Sequence, residues 1–419
     1  MNTVKVSGGE TTQSFHRFCF GWKTQCRAIT TIIIRHHYVI PYFLESICEL
    51  QYYIFTNKDS IRDEFLLAFK NLCKKACEMQ SYGEKGKIQY INISALRTAI
   101  VTGSSEFIME AYNNEWFFDS SECTVKFRAD SLLNHLDKFL SNLKKQYGKY
   151  MNVIQSQDMQ RIMLEVSQSY FWYAIQISRY SIEQFINSVA FLNMGKESEY
   201  YILSGEYKDQ CQIIYSNQKT FPTEEKAKDN FEEQEDKSFS SRYFMNLDLS
   251  YIELNYFDFR YSSFESSNLS NNKMIGCILS GTNFKNSILN KSNLSASILH
   301  DANFQDAELG FVKMEKIFSD VRYAPQFSIP TGCIGTSFKD SNIYDSSFNG
   351  SILCGAQFNN ARLTNVDFQG CDMQYCDFKD ALLENINFKG AILNHTIFNK
   401  DQAKLLMLSD EQMSAISFV

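Results

Sequence analysis

Cysteine and histidine are the residues of this sequence that could bind a metal ion or act as a nucleophile. Cys73 and Cys77 lie four residues apart beside Leu72, in a segment whose apolar spacing predicts a helix. Cys371 and Cys376 form a C-x4-C pair. A zinc or redox site normally shows a C-x-x-C spacing instead. For both pairs we expect burial in a core and no metal or redox function.

Two histidines near the start of the chain, His36 and His37, lie close to Cys26 and Cys48 and could indicate zinc. The C-x-x-C or H-x3-H spacing that identifies such a site is missing, so we predict no zinc here. A nucleophilic Cys–His pair within residues 1–220 stays open, because such pairs form in space. The sequence has no Walker A, G-x-G-x-x-G, G-x-S-x-G or H-E-x-x-H motif.

The segment 114–119, Asn-Glu-Trp-Phe-Phe-Asp, mixes carboxylates with aromatic rings, as a ligand pocket would. A strand edge followed by its turn explains the same composition, and we prefer that interpretation. We therefore predict no catalytic, cofactor-binding or metal-binding residue and no bound cofactor. The chain is predicted not to be an enzyme.

A large apolar residue occupies every fifth position over much of the C-terminal half. One uninterrupted block runs from Leu249 to Met314 and a second from Phe338 to Phe398. The residue two places earlier is nearly always small, and these small residues include Ser287, Ala302, Ala356, Cys371 and Cys376. A period of five fits neither a strand nor an α-helix. It fits a coil that turns a corner with each repeat and points two residues of each repeat inward.

This pattern resembles the pentapeptide-repeat family, whose consensus is roughly A(D/N)Lxx. Residues 302–306 (Ala-Asn-Phe-Gln-Asp) and 356–360 (Ala-Gln-Phe-Asn-Asn) match it closely, and the resemblance covers about 150 of the 419 residues. It implies a right-handed quadrilateral β-helix over residues 241–400, with four repeats in each coil. Residues 20 apart should then stack, which predicts ladders of Phe264, Phe284 and Phe304, of Phe338, Phe358, Phe378 and Phe398, and of Phe348, Phe368 and Phe388.

Three segments flank or interrupt the repeats. Residues 319–336 break the register and are interpreted either as a partner-binding loop or as a tolerated insertion at a corner. Residues 401–419 return to a helical pattern, and the resemblance implies a C-terminal capping helix there. Residues 222–240 are dense in charge and predict an acidic linker or an exposed helix.

Residues 1–221 show no repeat and predict a mostly helical α+β domain. Helices are predicted over Asp59–Gln80, Ser131–Tyr147 and Gln157–Phe191. Residues 87–119 predict partly extended chain, and residues 199–215 predict a hairpin. The predicted fold class is therefore multidomain α+β, with a mostly α-helical N-terminal domain followed by the β-helix and its cap.

The overall charge and the cysteine content limit the classes of partner. The formal net charge of −7 predicts no general affinity for nucleic acid or for anionic membranes. Twelve cysteines without an N-terminal secretory signal predict reduced thiols in the cytoplasm. The longest apolar run, Ala28–Ile34, is too short to span a bilayer. Export as an effector by another route stays open.

Repeat solenoids usually bind other proteins. We therefore predict a non-enzymatic protein–protein interaction or scaffold module of a bacterial pentapeptide-repeat protein, acting as an adaptor or as a secreted effector. The resemblance also implies that the C-terminal end can form a homodimer.

Two alternatives remain. The first is a DNA mimic directed at DNA gyrase, as in the quinolone-resistance members of the family. Residues 241–315 carry eight acidic and six basic residues, and residues 334–400 carry seven and five. Each block is thus near −2, whereas duplex DNA of about 32 Å carries about 19 charges. A mimic is expected only if the acidic residues share one side of the coil. The second alternative is an enzyme in the N-terminal domain, with the coil recruiting its substrate.

Overall fold

The computed structural model describes residues 39–102, 104, 106–147, 156–217, 222–233, 235, 237–322 and 332–419. One hydrophobic core lies in residues 39–217, which we call the helical part, and a second runs along residues 237–398, which we call the coil. Among the described residues, no helix combines the length and the apolar character needed to cross a bilayer.

The helical part begins with a long helix, α1 (Ile40–Ser81), that bends at Asn57, where φ is −124° and ψ is 15°. The predicted helix Asp59–Gln80 is confirmed as the second arm of α1. The first arm was not predicted, although Leu50 and Ile54 are fully buried one turn apart within it. Its aromatic residues partly obscure the helical spacing.

Five shorter helices lie in the described residues of this part, namely α2 (Arg97–Thr102), α3 (Asp130–Tyr147), α4 (Ser156–Tyr180), α5 (Ile182–Ile186) and α6 (Val189–Asn193). The predicted helix Ser131–Tyr147 is confirmed. The prediction of one helix over Gln157–Phe191 is wrong, because the chain breaks at Ser181 and again at Ser188. Both serine hydroxyls donate to nearby backbone carbonyls, at 2.7 and 2.8 Å, and such bonds compete with a continuous helix.

A five-stranded sheet packs against these helices. Its strands are β1 (Ile88–Ala95), β2 (Glu106–Tyr112), β3 (Thr124–Arg128), β4 (Lys196–Glu206) and β5 (Cys211–Asn217), in the order β3-β2-β1-β4-β5. Strands β1 and β4 are parallel, and the other pairs are antiparallel. Phe65 of α1 contacts Phe107 of β2, with ring centroids 5.9 Å apart. The predicted extended chain and hairpin are confirmed, and β3 was not predicted.

The coil is built from parallel backbone bridges between residues 20 apart. The first joins Ser238 to Asp258, and the series continues through Ile278 and Ile298. Each coil therefore takes four five-residue repeats. Where the bridges lengthen, they form short strands, namely β6 (Glu308–Gly310), β7 (Phe318–Ser319), β8 (Asn342–Tyr344), β9 (Ile352–Leu353), β10 (Arg362–Thr364), β11 (Leu382–Glu384) and β12 (Ile397–Phe398).

The predicted phenylalanine ladders are present, and two of them form one ladder. Neighbouring rings in this ladder have centroids 4.6 to 5.5 Å apart, and its members are Phe244, Phe264, Phe284, Phe304, Phe338, Phe358, Phe378 and Phe398. Phe304 stacks directly on Phe338 at 5.1 Å, and Asn303 pairs with Ser337, 34 residues later. The insertion thus adds 14 residues at one corner without breaking the core.

The small inward position of each repeat has a second role, as a hydrogen-bond donor. Thr282 Oγ1 donates to the carbonyl of Phe259 at 2.8 Å. Cys371 Sγ donates to the carbonyl of Phe348 at 2.9 Å, one coil and three residues earlier. A short side chain with an O–H or S–H group fits this corner and satisfies a buried carbonyl. This explains why Ser, Thr and Cys recur beside Ala at this position.

The first coil is covered by a helix within the segment that was predicted as an acidic linker, residues 222–240. Helix α7 (Glu224–Glu233) buries Ala227 and Phe231, and the Phe231 ring lies 5.1 Å from that of Phe239. The interpretation of this segment as a helix is confirmed, but full exposure is wrong for its apolar face, because the exposed end of the core requires cover. The charged residues of α7 lie on its other face.

Two short helices and a strand follow the last coil, in the segment that was predicted as one capping helix. They are α8 (Lys400–Ala403), α9 (Asp410–Ala415) and β13 (Ser417–Phe418), and β13 pairs with β12. Gln412 Nε2 donates to the carbonyls of Phe388 and Ala391, both at 2.8 Å. Side chains of this segment therefore bind backbone carbonyls of the last coil.

Candidate interaction surfaces

The cysteines considered as metal ligands or nucleophiles lie in packed positions. Cys73 is fully buried, and burial raises the pKa of its thiol to about 12. Cys77 donates weakly to the carbonyl of Ala190 at 3.9 Å. Burial also raises the pKa of the Cys371 thiol to about 12, and Cys376 donates to a carbonyl at 3.1 Å. A thiol with a raised pKa is a poor nucleophile at neutral pH.

The residues considered as a zinc site are only partly described. Cys48 is exposed on α1, whereas Cys26, His36 and His37 lie outside the described residues. In the described part of the chain, no group of three or more histidine, cysteine or carboxylate side chains is placed so that it could hold a metal ion.

The segment 114–119 forms a turn after β2, with a short 3-10 helix at Trp116–Phe118. Asp119 forms a buried ion pair with Lys85 at 2.6 Å. Its carboxylate also accepts the backbone N–H groups of Asn113 and Ser121, at 2.8 and 3.0 Å. This carboxylate holds the turn together, as expected for a strand edge with its turn.

The insertion that interrupts the repeats makes the closest contact between the coil and the helical part. We call residues 332–335 the docking loop. The carboxylate of Asp301, at a corner of the coil, accepts the backbone N–H groups of Cys333, Ile334 and Gly335, at 2.9, 2.9 and 2.8 Å. The side chain of Cys333 is buried in the core of the helical part. The described end of the insertion therefore packs within the chain.

Helix α1 holds the docking loop from the other side. Gln51 Nε2 donates to the carbonyl of Gly332 at 2.5 Å, and Lys58 Nζ donates to the carbonyl of Ile334 at 2.6 Å. The roles of Gln51, Lys58 and Asp301 were not predicted, because their partners lie tens to hundreds of residues away in the sequence. The only sequence signal was the register break itself.

A second contact joins α4 and the sheet to the coil. The guanidinium of Arg179 lies 3.9 Å from the ring centroid of Tyr261, a cation–π contact. Glu183 pairs with Lys285 at 2.7 Å, and the backbone N–H of Ser216 donates to the hydroxyl of Tyr243 at 3.1 Å. These contacts come from two adjacent sides of the coil, so the helical part lies along one corner.

A small cavity of about 160 Å³ remains between the two parts, near Trp172, Gln176 and Gln212. Its charged groups have partners, since Arg260 pairs with Asp258 at 2.6 Å. Cofactor pockets are typically about 300 Å³ or larger. The cavity is therefore part of the junction and gives no reason to assign a cofactor.

Lys58 makes the junction sensitive to pH. Burial and the charge of Lys339 lower the pKa of Lys58 to about 8, and Asp301 opposes the shift. Between this pKa and the ordinary value of 10.5, the unfolded chain binds the proton that the folded chain has lost, so stability rises with pH. Between pH 7 and pH 10, we expect the free energy of unfolding of the native chain to rise by on the order of 2 kcal/mol relative to that of Lys58→Met.

Urea unfolding of both chains at each pH measures this difference, and the comparison cancels groups common to both. If the free energy of unfolding depends on pH in the same way for the native chain and for Lys58→Met, then Lys58 keeps an ordinary pKa in the folded chain.

One side of the coil contributes none of the contacts with the helical part described above, and we call it the outer side. It is centred on Leu249, Leu269, Leu289, Leu309, Ile343, Leu363 and Leu383. It exposes large apolar residues, namely Tyr251, Ile288, Phe311 and Leu382, which are 79%, 41%, 51% and 59% exposed. At its edge, Asn365 donates to Asp345 at 2.9 Å and Asn385 donates to Asn365 at 2.8 Å. These side chains are already ordered before any partner binds.

The acidic residues of the coil do not share one side. They fall on all four sides of the coil. The first side carries Glu265, Asp306, Asp340, Asp377 and Asp380, and the next, the outer side, carries Asp248, Glu308, Asp345 and Glu384. The third side carries Glu253, Glu315 and Asp367, and the fourth carries Asp258, Asp301, Asp320 and Asp372. Arg322 pairs with both Asp320 and Asp372, at 2.8 and 2.9 Å.

Comparison with known proteins gives two matches to sequence families and several to solved structures. The family described as "Pentapeptide repeats (8 copies)" matches residues 277–310, and the "Pentapeptide repeat region" family matches residues 333–398. A search of curated proteins found no match.

Among solved structures, the chain is similar to QnrB1, a plasmid-mediated fluoroquinolone resistance protein. The identity is 13% over 41% of this chain and 88% of QnrB1, with a TM-score of 0.21. HetL from the cyanobacterium Nostoc is 14% identical over 42% of this chain and 97% of HetL, with a TM-score of 0.15. Rfr23 from the cyanobacterium Cyanothece is 15% identical over 39% of this chain and 95% of Rfr23, with a TM-score of 0.14. Residues 277–310 and 333–398 of the coil are therefore pentapeptide repeats.

Proposed function

We propose that this chain is a non-enzymatic protein–protein interaction module, which acts in the cytoplasm as an adaptor or after export as an effector. The observation that carries the proposal is the placement of the helical part along one corner of the coil. The outer side, with its exposed Tyr251, Phe311 and Leu382, then faces solvent. Exposed apolar side chains on a regular surface are typical of protein-binding sites.

The construction of the coil supports this proposal. Backbone groups bond from coil to coil, as where the N–H of Phe264 donates to the carbonyl of Asn283 at 2.7 Å. Asparagine ladders fix side chains on the surface as well. A surface that is ordered before binding loses little conformational entropy when a partner docks. Such a surface suits a scaffold.

The domain limits form part of the same proposal. We propose a helical domain over residues 1–221, a right-handed quadrilateral β-helix over residues 241–400, and a cap over residues 401–419. The segment 222–240 then joins the two domains and covers the first coil through α7.

The charge distribution favours this role over mimicry of DNA. A mimic directed at gyrase would present rows of acidic groups on one side, as duplex DNA presents phosphates. Here the acidic residues are divided among four sides, Asp258 is paired with Arg260, and Asp301 binds the docking loop. An enzyme in the helical part is the other alternative, and the buried, high-pKa thiols described above do not favour it.

We also propose that a second copy of the chain docks beyond the last coil. Leu405 is 83% exposed and Met407 is 96% exposed there, and such residues are usually covered in a dimer interface. Sedimentation equilibrium should therefore give twice the chain mass of 48.6 kDa at micromolar concentration. A monomer mass across that range would overturn the dimer.

The function is tested by affinity capture with the full chain from a bacterial and a eukaryotic lysate. The test variant is Ile288→Glu with Leu382→Glu, which adds charge to the outer side. The control is Asn293→Glu with Asn387→Glu, at the same position of the following repeats on the adjacent side. We expect a partner retained by the native chain and the control and lost from the test variant.

Equal capture by all three chains, or none by any, would overturn the assignment to the outer side. Retention of gyrase subunits by the native chain would instead support the DNA mimic.

A further inference from the structure

A groove of about 820 Å³ opens between α1 and the short helices α5 and α6. Leu66, Lys70, Lys74 and Cys77 line one wall, and Gln184 and Val189 contribute to the other. The stretch of α1 from Leu66 to Glu78 covers 13 residues and rises by about 18 Å, or about three helical turns. The groove is thus as long as a short helix.

The groove is apolar and its apolar residues continue onto its rim. Val189 lines it and is 73% exposed, and the nearby Leu67 and Leu192 are 63% and 62% exposed. The lining is mostly carbon. Several large apolar side chains exposed together on one surface indicate a binding site.

Two cations lie along the α1 wall of the groove. Lys70 and Lys74 are one turn apart on the same face of the helix. Within the described residues, no carboxylate lies at ion-pair distance from either ammonium group. Glu78 lies one turn further on and carries the single acidic group of the lining. The wall therefore favours an acidic partner.

An unsatisfied acceptor lies on the opposite wall. Gln184 Oε1 is buried and accepts no hydrogen bond from the described residues, although Gln184 lines the groove. Buried amide oxygens are nearly always bonded, and leaving one unpaired is unfavourable. The Gln184 amide must turn toward the groove before a side-chain hydroxyl, amide or indole N–H of a ligand can donate to it.

We propose that this groove binds an amphipathic α-helix of a partner protein, with two acidic residues one turn apart beside its apolar face. The acidic pair contacts Lys70 and Lys74, the apolar face packs on Leu66 and Val189, and a polar side chain donates to Gln184. This rests on the proposed function as an interaction module and adds a second, chemically defined surface to the outer side of the coil. Helices that dock in grooves through apolar anchors are a common mode of recognition.

The test begins with selection of helical peptides from a phage-displayed library on the full chain, followed by fluorescence anisotropy with the selected peptides. We expect selected peptides to carry acidic residues four apart beside an apolar stripe. Lys70→Glu with Lys74→Glu should weaken their binding by about tenfold or more, since attraction becomes repulsion. Val189→Asp should weaken it too, and it alters an exposed residue at the start of α6.

The matched control is Lys144→Glu with Lys145→Glu, which makes the same charge change at two exposed lysines of α3. This control should bind the peptides as the native chain does. Equal binding by all four chains, failure to select acidic helices, or selection only of peptides that bind elsewhere would overturn the proposal.

Lysate capture separates this proposal from the broader one. If Ile288→Glu with Leu382→Glu loses its partner while the groove variants bind the selected peptides as the native chain does, the interaction module stands and the groove proposal fails. If both sets of variants retain every captured protein, both proposals fail.

Discussion

Replacing Phe368 with aspartate is expected to lower the free energy of unfolding by about 5 kcal/mol or more and to open the coil locally. Phe368 is fully buried, and its ring centroid lies 5.0 Å from that of Phe348 and 5.5 Å from that of Phe388. Removing the ring leaves a cavity, and the carboxylate finds no water or donor in the ladder. Urea unfolding measures the loss of stability, and hydrogen exchange of residues 346–390 locates it.

The matched control for this substitution is Phe311→Asp. Phe311 belongs to a nearby coil but is 51% exposed, and its φ of 56° suits aspartate. We expect a change of less than about 1 kcal/mol there. A similar loss of stability in both variants would contradict the role assigned to the ladder. Exchange that increases equally through residues 39–217 would contradict the expectation that each coil depends mainly on its neighbours.

Replacing Asp301 with alanine is expected to separate the helical part from the coil. Three backbone N–H groups of the docking loop lose their shared acceptor, and each unsatisfied buried donor costs about 1 to 3 kcal/mol. The ammonium of Lys58 also loses the electrostatic attraction of the Asp301 carboxylate. Because the three bonds share one carboxylate, we expect a combined loss of about 3 to 5 kcal/mol. Hydrogen exchange at residues 333–335 and limited proteolysis measure it.

Asp306→Ala is the control for Asp301→Ala. Asp306 has the same position in the next repeat and nearly the same φ, 57° against 56°, but its side chain is exposed. Alanine is equally strained at both corners, so the difference isolates the docking loop. If the backbone amides of residues 333–335 exchange hydrogen at the same rate in both variants, the carboxylate of Asp301 does not hold the docking loop.

The coil could be predicted from the sequence because every repeat carries its own signal. The apolar residue at each fifth position fixes the period, and the ladders follow once four repeats make a coil. The continuity of Phe304 with Phe338 could not be predicted, since a break of unknown shape separated the two blocks. The recurring small residues predicted that this position lies at a corner of the coil. Their hydrogen bonds, such as those donated by Cys371 and Thr282, could not be predicted because the acceptor belongs to the neighbouring coil.

The junction could not be predicted, for a physical reason. Lys58 and Ile334 lie 276 residues apart, and neither belongs to a motif. Their contact depends on the bend at Asn57, on the corner that holds Asp301 and on the 14 inserted residues together. In the helical part, the spacing of buried apolar residues predicted α3 and the second arm of α1. The cover that α7 gives the first coil was not predicted, because two buried side chains, Ala227 and Phe231, are few among many charges.

We expect the helical part and the coil to form one body with a fixed outer side. The most direct test is a pulsed electron spin resonance distance between non-cysteine spin labels at Asn71 and Leu382, both of which are exposed. We expect one narrow distance distribution for the full chain and a broad one for Asp301→Ala. A broad distribution in the native chain would contradict the claim, because the two parts would then move independently.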